Sequence, residues 1–493
     1  MDGPVQALSP ASAATRAARA ARERPAVAAA AATAALALAM WALYGSGSVG
    51  YDQLYSLLWG DELAEGRLPG YEAPRAPTPH PLANLIGLVL APLGDGSLDA
   101  LKAFSLLSFA ALGVAAYLLG ARLLSPAAGV LSAALLLTRP SLVNQALIAS
   151  IDIQFLALIV GAAAVEARRP RAGVPVLLLL GLAGLLRPEA WLIAAAYAAW
   201  IVWRTREEEG ARAARARVPL LAALVVAAPA LWVASDVWIT GDPLWTFHQA
   251  RATSERLADA ERYGDGGPVD TIAWVARSWK GLMHLIPALV SIAGIAIAAA
   301  LLRRRLAIPL ALLAAGVAGF LTIGFAGLPL LTRYFFIPVA MLCLLAAAGV
   351  LGWRELPAAN PRRGAARAAG IVLGLALVVH VPFLVDHLGG ALLKSDRAQR
   401  LQDDLIALVE QPRVRDAIPR CQPLQTRLFR ARPTLLWERR DDAATRIVAT
   451  RELALGEGLL LIYRLEERPP KAAGFERIGA NGTWTVLARC PRG

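Results

Sequence analysis

The sequence predicts a mainly α, polytopic membrane protein carrying a small α/β domain at its C-terminal end. Three observations carry that prediction. The 493-residue chain is 57% hydrophobic with a mean hydropathy of +0.50, far above what a soluble globular protein carries. Its apolar residues gather in runs long enough to cross roughly 30 Å of hydrocarbon as helices of about 20 residues. Beyond residue 388 those runs shorten and turn residues interrupt them.

Spans are expected near residues 26–45, 100–122, 126–144, 151–166, 173–187, 189–203, 218–238, 282–302, 306–326, 335–352 and 370–386, about eleven in all. The fifth and sixth are short and are separated only by Arg187-Pro188-Glu189. An arginine cluster, Arg16, Arg19, Arg22 and Arg24, precedes the first run with no clear small-residue cleavage site, so the first span is read as retained. With that end inside, the inner connections collect Arg168, Arg169 and Arg171, the RTREEEGARAARAR segment, Arg303 to Arg305, and Arg354, Arg362, Arg363 and Arg367. The other connections hold roughly half as many basic residues, as the positive-inside rule requires.

The domain reading follows. Residues 1–25 form a cytoplasmic basic segment, 26–388 the membrane domain with outer loops 46–99 and 239–281, and 389–493 an extracytoplasmic α/β domain. The tail opens with a candidate amphipathic helix, SDRAQRLQDDLIALVEQ, and continues with the short apolar runs PTLLWE, TRIVATREL, GLLLIYRLEE and TWTVLARC. The expected location is the plasma membrane, crossed many times. The net charge of +13 lies in short clusters between apolar runs, which reflects topology and gives no ground for a nucleic-acid partner. Three cysteines are too few for a disulfide scaffold; Cys343 falls in a span, while Cys421 and Cys490 are either bridged or two separate buried thiols.

The first outer loop, GYDQLYSLLWGDELAEGRLPGYEAPRAPTPHPL, is unusually polar for a connector. Asp52 follows the first span closely, at a depth where a carboxylate escapes the cost of the membrane core. It can take a proton from an acceptor hydroxyl, or cap a helix as a solvated charge. Asp61, Glu62 and Glu65 share helical spacing and read as the charged face of a short surface helix. His80-Pro81 opens the run Leu82 to Leu93, too short for a span and ended by Gly94-Asp95-Gly96, hence a helix in the interface. His80 can touch a phosphate or a sugar, or simply start that helix with Pro81.

Asp152 stands at the outer end of the fourth span beside Asn144 and Gln145, a polar grouping that favours a cavity over lipid. Arg187 and Glu189 either pair across Pro188 or line a cavity wall. In the second outer loop Trp245, His248, Arg251, Trp274, Trp279 and Lys280 mix rings and cations; they serve as an interfacial belt or meet a sugar and a phosphate. Arg333-Tyr334, ahead of the tenth span, sets a planar cation where it can hold a lipid phosphate bidentately. No metal-ligand spacing, phosphate-cradling glycine loop or serine-nucleophile motif is present. No cofactor is expected, and a divalent cation is left open.

The order of these features resembles the GT-C superfamily of integral membrane glycosyltransferases, in particular the branch similar to protein O-mannosyltransferases and the aminoarabinose transferase. The resemblance covers residues 16–386 and is carried by Tyr51, Asp52, Tyr55, the Gly66-x-x-Pro69 turn and His80-Pro81, with Arg333 and Tyr334 in support. It implies Asp52 as catalytic base, a polyprenyl-phosphate sugar as donor, a glycan, lipid or protein hydroxyl as acceptor, and inversion in one displacement. Tyr55, His80, Asp152, His248, Arg251, Arg333 and Tyr334 are the expected substrate contacts, with membrane lipid around them. Many members read Asp-Glu where this chain has Asp52-Gln53. Two other classes remain: a transporter or flippase of a lipid-linked sugar, and a non-catalytic protein that keeps the fold.

Overall fold

The computed structural model describes residues 24–71, 73, 78–258, 268–328, 330–440, 442, 445–449, 456–464 and 474–490. The arginines at 16, 19 and 22, and Glu72, Pro74 and Pro77 of the first loop, lie outside the described residues. Helix α1 (Pro25–Tyr44) is apolar on every side, and only Ala37 and Met40 are buried, as befits a helix that faces lipid. The first loop folds into α2 (Tyr51–Ala64) and α3 (Pro81–Leu90), the latter running into a 3-10 turn, Ala91–Leu93. A short apolar helix is therefore present where the interfacial one is expected.

The bundle continues with α4 (Gly96–Leu123), α5 (Pro126–Leu137), α6 (Pro140–Leu147), α7 (Ile151–Arg168), α8 (Val174–Gly184), α9 (Glu189–Glu209) and α10 (Ala211–Thr240). The second long loop holds α11 (Trp245–Ala258) and α12 (Pro268–Met283), followed by α13 (Leu285–Leu301), α14 (Ala307–Phe325), α15 (Phe336–Leu351) and α16 (Arg363–Val409). Among the described residues, six helices are long and apolar enough to cross a membrane, and eight if each of two bent pairs counts once. The pairs are α5 with α6, turning 65°, and α12 with α13, turning 111°.

The expected eleven spans are reached only by adding α7, α8 and α9. Helix α8 has 11 residues and rises about 16 Å, half the hydrocarbon thickness. Helix α9 ends in the charged run RTREEE. The run 126–144, expected to be one span, is broken because Pro140 cannot continue a helix and holds Arg139 in an extended conformation, ψ 117°.

Helix α15 is the axis of the bundle: every residue from Phe336 to Gly349 is buried. Helix α13 crosses it at Gly294, where a Cβ would stand 1.9 Å from the Leu345 carbonyl oxygen. A small residue is what lets two backbones approach that closely in a membrane. Helix α16 runs unbroken through residues 388 and 389 into the C-terminal domain.

That domain adds α17 (Pro412–Ala417), α18 (Ala431–Glu438) and strands β1 (Leu424–Thr426), β2 (Ile447–Ala449), β3 (Gly458–Tyr463), β4 (Glu476–Ala480) and β5 (Trp484–Arg489). The sheet order is β2-β1-β3-β5-β4, with β1 parallel to β2 and β3, and β5 antiparallel to β3 and β4. The run PTLLWE belongs to helix α18. Cys421 and Cys490 are joined in a disulfide, and Trp484, fully buried, donates to the Leu401 carbonyl of α16 at 3.0 Å. The domain sits on the first loop: Trp437 of α18 shares an apolar cluster with Leu54, Tyr55 and Trp59 of α2. The face carrying α2, α3 and this domain is called the site face below.

Candidate active site

Two short linkers bring the site together. The segment after α1 lies against the end of α6, with Ser48 N donating to Leu147 O at 2.8 Å and Gly50 N to Ile148 O at 2.9 Å. Gly47 makes that approach possible, since its φ is +74° and a Cβ would stand 2.1 Å from Leu147 O. The pinning sets the start of α2 beside the start of α7, so Asp52 and Asp152, each in a first helical turn, come to one place. A carboxylate is favoured there by the helix dipole. Ser150 caps α7, its hydroxyl accepting from Asp152 N at 3.3 Å and donating to Asp152 Oδ2 at 3.2 Å.

Arg333 enters from the 3-10 turn Thr332–Phe335 that precedes α15. Its Nη1 donates to Asp52 Oδ2 at 3.3 Å, while its Nε stands 3.9 Å from Asp152 Oδ2. The second distance is an ionic contact, too long for a hydrogen bond, and Nε is buried with no hydrogen-bond partner. Below it, Arg187 Nη1 donates to Asp152 Oδ1, and Arg187 Nη2 and Nε donate to Glu189 Oε1 at 2.6 and 3.2 Å. The Arg187 guanidinium lies over the Tyr334 ring at 4.3 Å and the Phe155 ring at 5.4 Å.

The result is a row of alternating charge, Asp52, Arg333, Asp152, Arg187 and Glu189, most deeply buried at Asp152 and Arg187. The Asp152 and Arg187 side chains are 2% and 6% exposed, against 33% for both Asp52 and Arg333. The deep pair is structural by its geometry, since charges out of water persist only when paired and hydrogen-bonded. The shallow pair is the end more open to solvent.

His80 is the half-buried N-cap of α3, its ring edge-on to Trp232 at 5.7 Å. Burial, then the guanidinium charges of Arg187 and Arg333, push its imidazole down to about 3. It is a neutral group with Nδ1 buried and unpartnered, so any contact it makes to a phosphate or sugar is a hydrogen bond without a cationic charge. Gln53, Ser56, Ala83, Phe104, Ile151 and Gln154 line a narrow cleft that flanks the two aspartates.

Other expected contacts lie elsewhere. Tyr55 is 2% exposed and its hydroxyl accepts from Arg432 Nη1 of α18 at 2.7 Å. Burial raises the phenol's pKa and Arg432 opposes the rise. Tyr55 thus docks the C-terminal domain, and Tyr51 does the same beside it, edge-on to Phe429 at 5.1 Å. His248 is exposed on α11 and held by Asp242, 2.7 Å from Nδ1 to Oδ2. Arg251 is exposed on the same helix. Trp245 packs on Tyr71 with ring centroids 5.2 Å apart.

The charged face expected of Asp61, Glu62 and Glu65 holds for Glu65, which pairs with Arg67 at the surface through Nε at 2.7 Å. Asp61 and Glu62 are half-buried, and burial raises the Glu62 carboxyl above its ordinary value. The Arg187 and Glu189 pair had a visible signal, opposite charges across a proline between two apolar runs. Arg432 had none, because nothing local marks a residue that acts 377 positions away. Among the described residues, no three His, Cys, Asp or Glu side chains converge as a metal-ligand set.

No family model matches the chain, and no curated relative is found. Among solved structures it is similar to ArnT from Cupriavidus metallidurans bound to undecaprenyl phosphate, at 13% identity over 92% of this chain and 97% of that one, with a TM-score of 0.56. The oligosaccharyltransferase of Archaeoglobus fulgidus in complex with zinc and sulfate aligns at 15% identity over 82% of this chain and 59% of that one, with a TM-score of 0.48. What the first likeness establishes at such low identity is architecture: the chain shares the overall fold of that ArnT structure.

Proposed function

We propose that the chain transfers a sugar from a polyprenyl-phosphate donor to an acceptor hydroxyl at the extracytoplasmic face of the membrane. The observation that carries this reading is the meeting of Asp52 and Arg333, a carboxylate and a guanidinium one third exposed, at the more open end of a row of charge whose centre is buried. In the fold neighbour bound to undecaprenyl phosphate the lipid is a polyprenyl phosphate, the same class as the proposed leaving group.

The donor's phosphate takes the place of the Asp52 carboxylate as the partner of Arg333, and the unpartnered Arg333 Nε is a second donor for it. Asp52, released from the ion pair, accepts the proton of the acceptor hydroxyl. That oxygen forms the new bond to the anomeric carbon on the face opposite the phosphate, and the bond from that carbon to the phosphate oxygen breaks. The electron pair leaves with the polyprenyl phosphate, which Arg333 stabilises as an anion. One displacement inverts the anomeric centre. The deep pair of Asp152 and Arg187 fixes the guanidinium from behind, and Tyr334 holds Arg187 in plane. No cofactor enters the step.

The disulfide supports placing the C-terminal domain in an oxidising compartment. The site face is then extracytoplasmic and the N-terminus cytoplasmic. The acceptor, whether glycan, lipid or protein, would approach from the aqueous side of the site face, where Asp52 and Arg333 are one third exposed.

One observation favours the transporter reading. Two bent helix pairs, at 65° and 111°, are a device that carriers use to coordinate a substrate within the bilayer. The experiment that separates the two uses full-length protein in proteoliposomes, supplied with a panel of polyprenyl-phosphate sugars and an aqueous acceptor mixture. Transfer consumes the donor and yields a glycosylated acceptor with free polyprenyl phosphate. A carrier moves intact donor between leaflets, and that outcome would replace the proposed reaction.

A further inference from the structure

The breaks in the two bent pairs meet each other, and each starts a new helix at the junction. Arg139 caps α6 at the first break, and His284, with φ +63°, caps α13 at the second. Arg139 is 1% exposed, and no carboxylate pairs with it among the described residues. Its Nε donates to Leu135 O at 2.9 Å and its Nη1 to Met283 O at 2.8 Å, so the guanidinium stitches one break to the other. Nη2 is buried with no partner.

Three more polar atoms around this junction are buried without partners: Ser141 Oγ, in the first turn of α6, His284 Nδ1 and His380 Nε2. His380 is 5% exposed. The His284 ring lies 5.8 Å from that of His380 and 4.5 Å from that of His387, and Phe383 packs on His387 at 4.2 Å. Asp386 stands 3.9 Å from His387 Nδ1 and is 87% exposed. A structural role for Arg139 accounts for two of its bonds. It leaves unexplained why a buried cation, two helix N-termini and four orphaned polar atoms share one place, when a buried polar group without a partner is costly. An oxyanion answers all of them together.

We propose that Arg139, Ser141, His284 and His380 form a second anion site, which binds the phosphate of an ester entering from the membrane flank of α16. That flank is apolar: Val379, Val381, Phe383 and Val385 are 73%, 48%, 54% and 61% exposed around the histidines. A phosphate carried on a lipid would slide in there, while a free phosphate would have to cross the same apolar surface. The site is separate from Asp52 and Arg333. Helix α6 lies between them, with Arg139 at its start and the Leu147 and Ile148 carbonyls that pin the Asp52 loop at its end; its eight residues span about 12 Å.

The test uses full-length protein in detergent, in the Arg333→Gln background, so that phosphate held by Arg333 does not contribute whether or not the proposed transfer is correct. Short-chain phosphatidic acid and inorganic phosphate are titrated in separate arms by calorimetry. Saturable binding of phosphatidic acid is expected, weakened at least tenfold by adding Arg139→Gln and at least threefold by adding His380→Leu. The second variant leaves both guanidinium stitches intact, so it reports on the site even where Arg139→Gln lowers the yield of folded protein. Binding of phosphatidic acid with none of inorganic phosphate identifies a lipid as the source, and equal binding of both identifies free phosphate. Absence of binding in both arms, or affinity unchanged by His380→Leu in folded protein, overturns the site.

Discussion

Asp52 and Arg333 are 281 positions apart in the sequence and 3.3 Å apart in the structure, Arg333 Nη1 donating to Asp52 Oδ2. Neither residue brings the other there directly. Asp52 is set by backbone bonds from Ser48 and Gly50 to the end of α6, and Arg333 by the 3-10 turn that opens the buried axis α15. The proposed chemistry asks this contact to change partners, with Arg333 passing from carboxylate to phosphate.

If Arg333 binds the donor phosphate, Arg333→Lys removes the planar fork and leaves a point charge. Charge-assisted hydrogen bonds are worth about 1.5–3 kcal/mol. The expected outcome is a loss of roughly ten- to a hundredfold in kcat/KM, most of it as a higher KM for the donor. Steady-state transfer measured against donor concentration checks it, and an unchanged KM with a depressed kcat would count against phosphate binding.

The graded burial predicts two different costs for removing the aspartates. Asp152→Asn leaves Arg187 buried with one carboxylate fewer, and breaking a buried pair costs about 3–5 kcal/mol. Asp52→Asn breaks a pair that is one third exposed, worth about 1 kcal/mol or less. Chemical denaturation of the solubilised protein followed by tryptophan fluorescence should rank them in that order; equal midpoints would show that the row is not graded in energy.

His80 predicts a pH dependence with a definite sign. Its folded-state value is about 3 against an ordinary 6.5, so between those values the unfolded chain binds a proton that the folded protein does not. Stability therefore falls as pH drops through about 6.5, and the contribution of His80 to the slope fades as pH rises above that value. Melting temperatures recorded from pH 8 to pH 5 should decline, and His80→Gln should decline less steeply. Parallel curves for the two proteins would remove His80 from that role.

Much of this architecture is legible before any coordinates. The apolar runs locate the helices because the bilayer forces a length and a composition on each, and the short run Leu82 to Leu93 is recognisable as an interfacial helix by the same rule. Asp52, Asp152 and Arg333 stand out because each is a charge at the end of such a run, where it is costly unless it has a purpose. What stays hidden is long-range pairing and the interruption of a run. Tyr55 enters as a site residue through the resemblance alone, and its hydroxyl accepts from Arg432. The breaks at Arg139 and His284 fall within or beside runs whose composition alone is that of unbroken spans.

The disulfide predicts that the C-terminal domain depends on oxidation. Cys421 and Cys490 are 69 positions apart, and closing a loop of that size stabilises by about 2–4 kcal/mol. Cys421→Ser, or reduction of the wild-type protein, should lower the unfolding midpoint of the domain. Since α18 covers α2 through Arg432 and Trp437, faster proteolysis of the linkers between β-strands should accompany it, and a midpoint insensitive to reductant would show that the bond carries no stability.

The most direct test of the central claim is the rate of sugar transfer by Asp52→Asn, measured in proteoliposomes with a polyprenyl-phosphate sugar that the wild-type protein uses. Asparagine keeps the size of the side chain and a hydrogen-bond acceptor for Arg333 but cannot take the acceptor's proton. A general base contributes about 10² to 10⁴ in rate, so kcat should fall by at least a hundredfold while the KM for the donor changes little. Transfer by Asp52→Asn at a rate near wild type would contradict the assignment of Asp52 as the base.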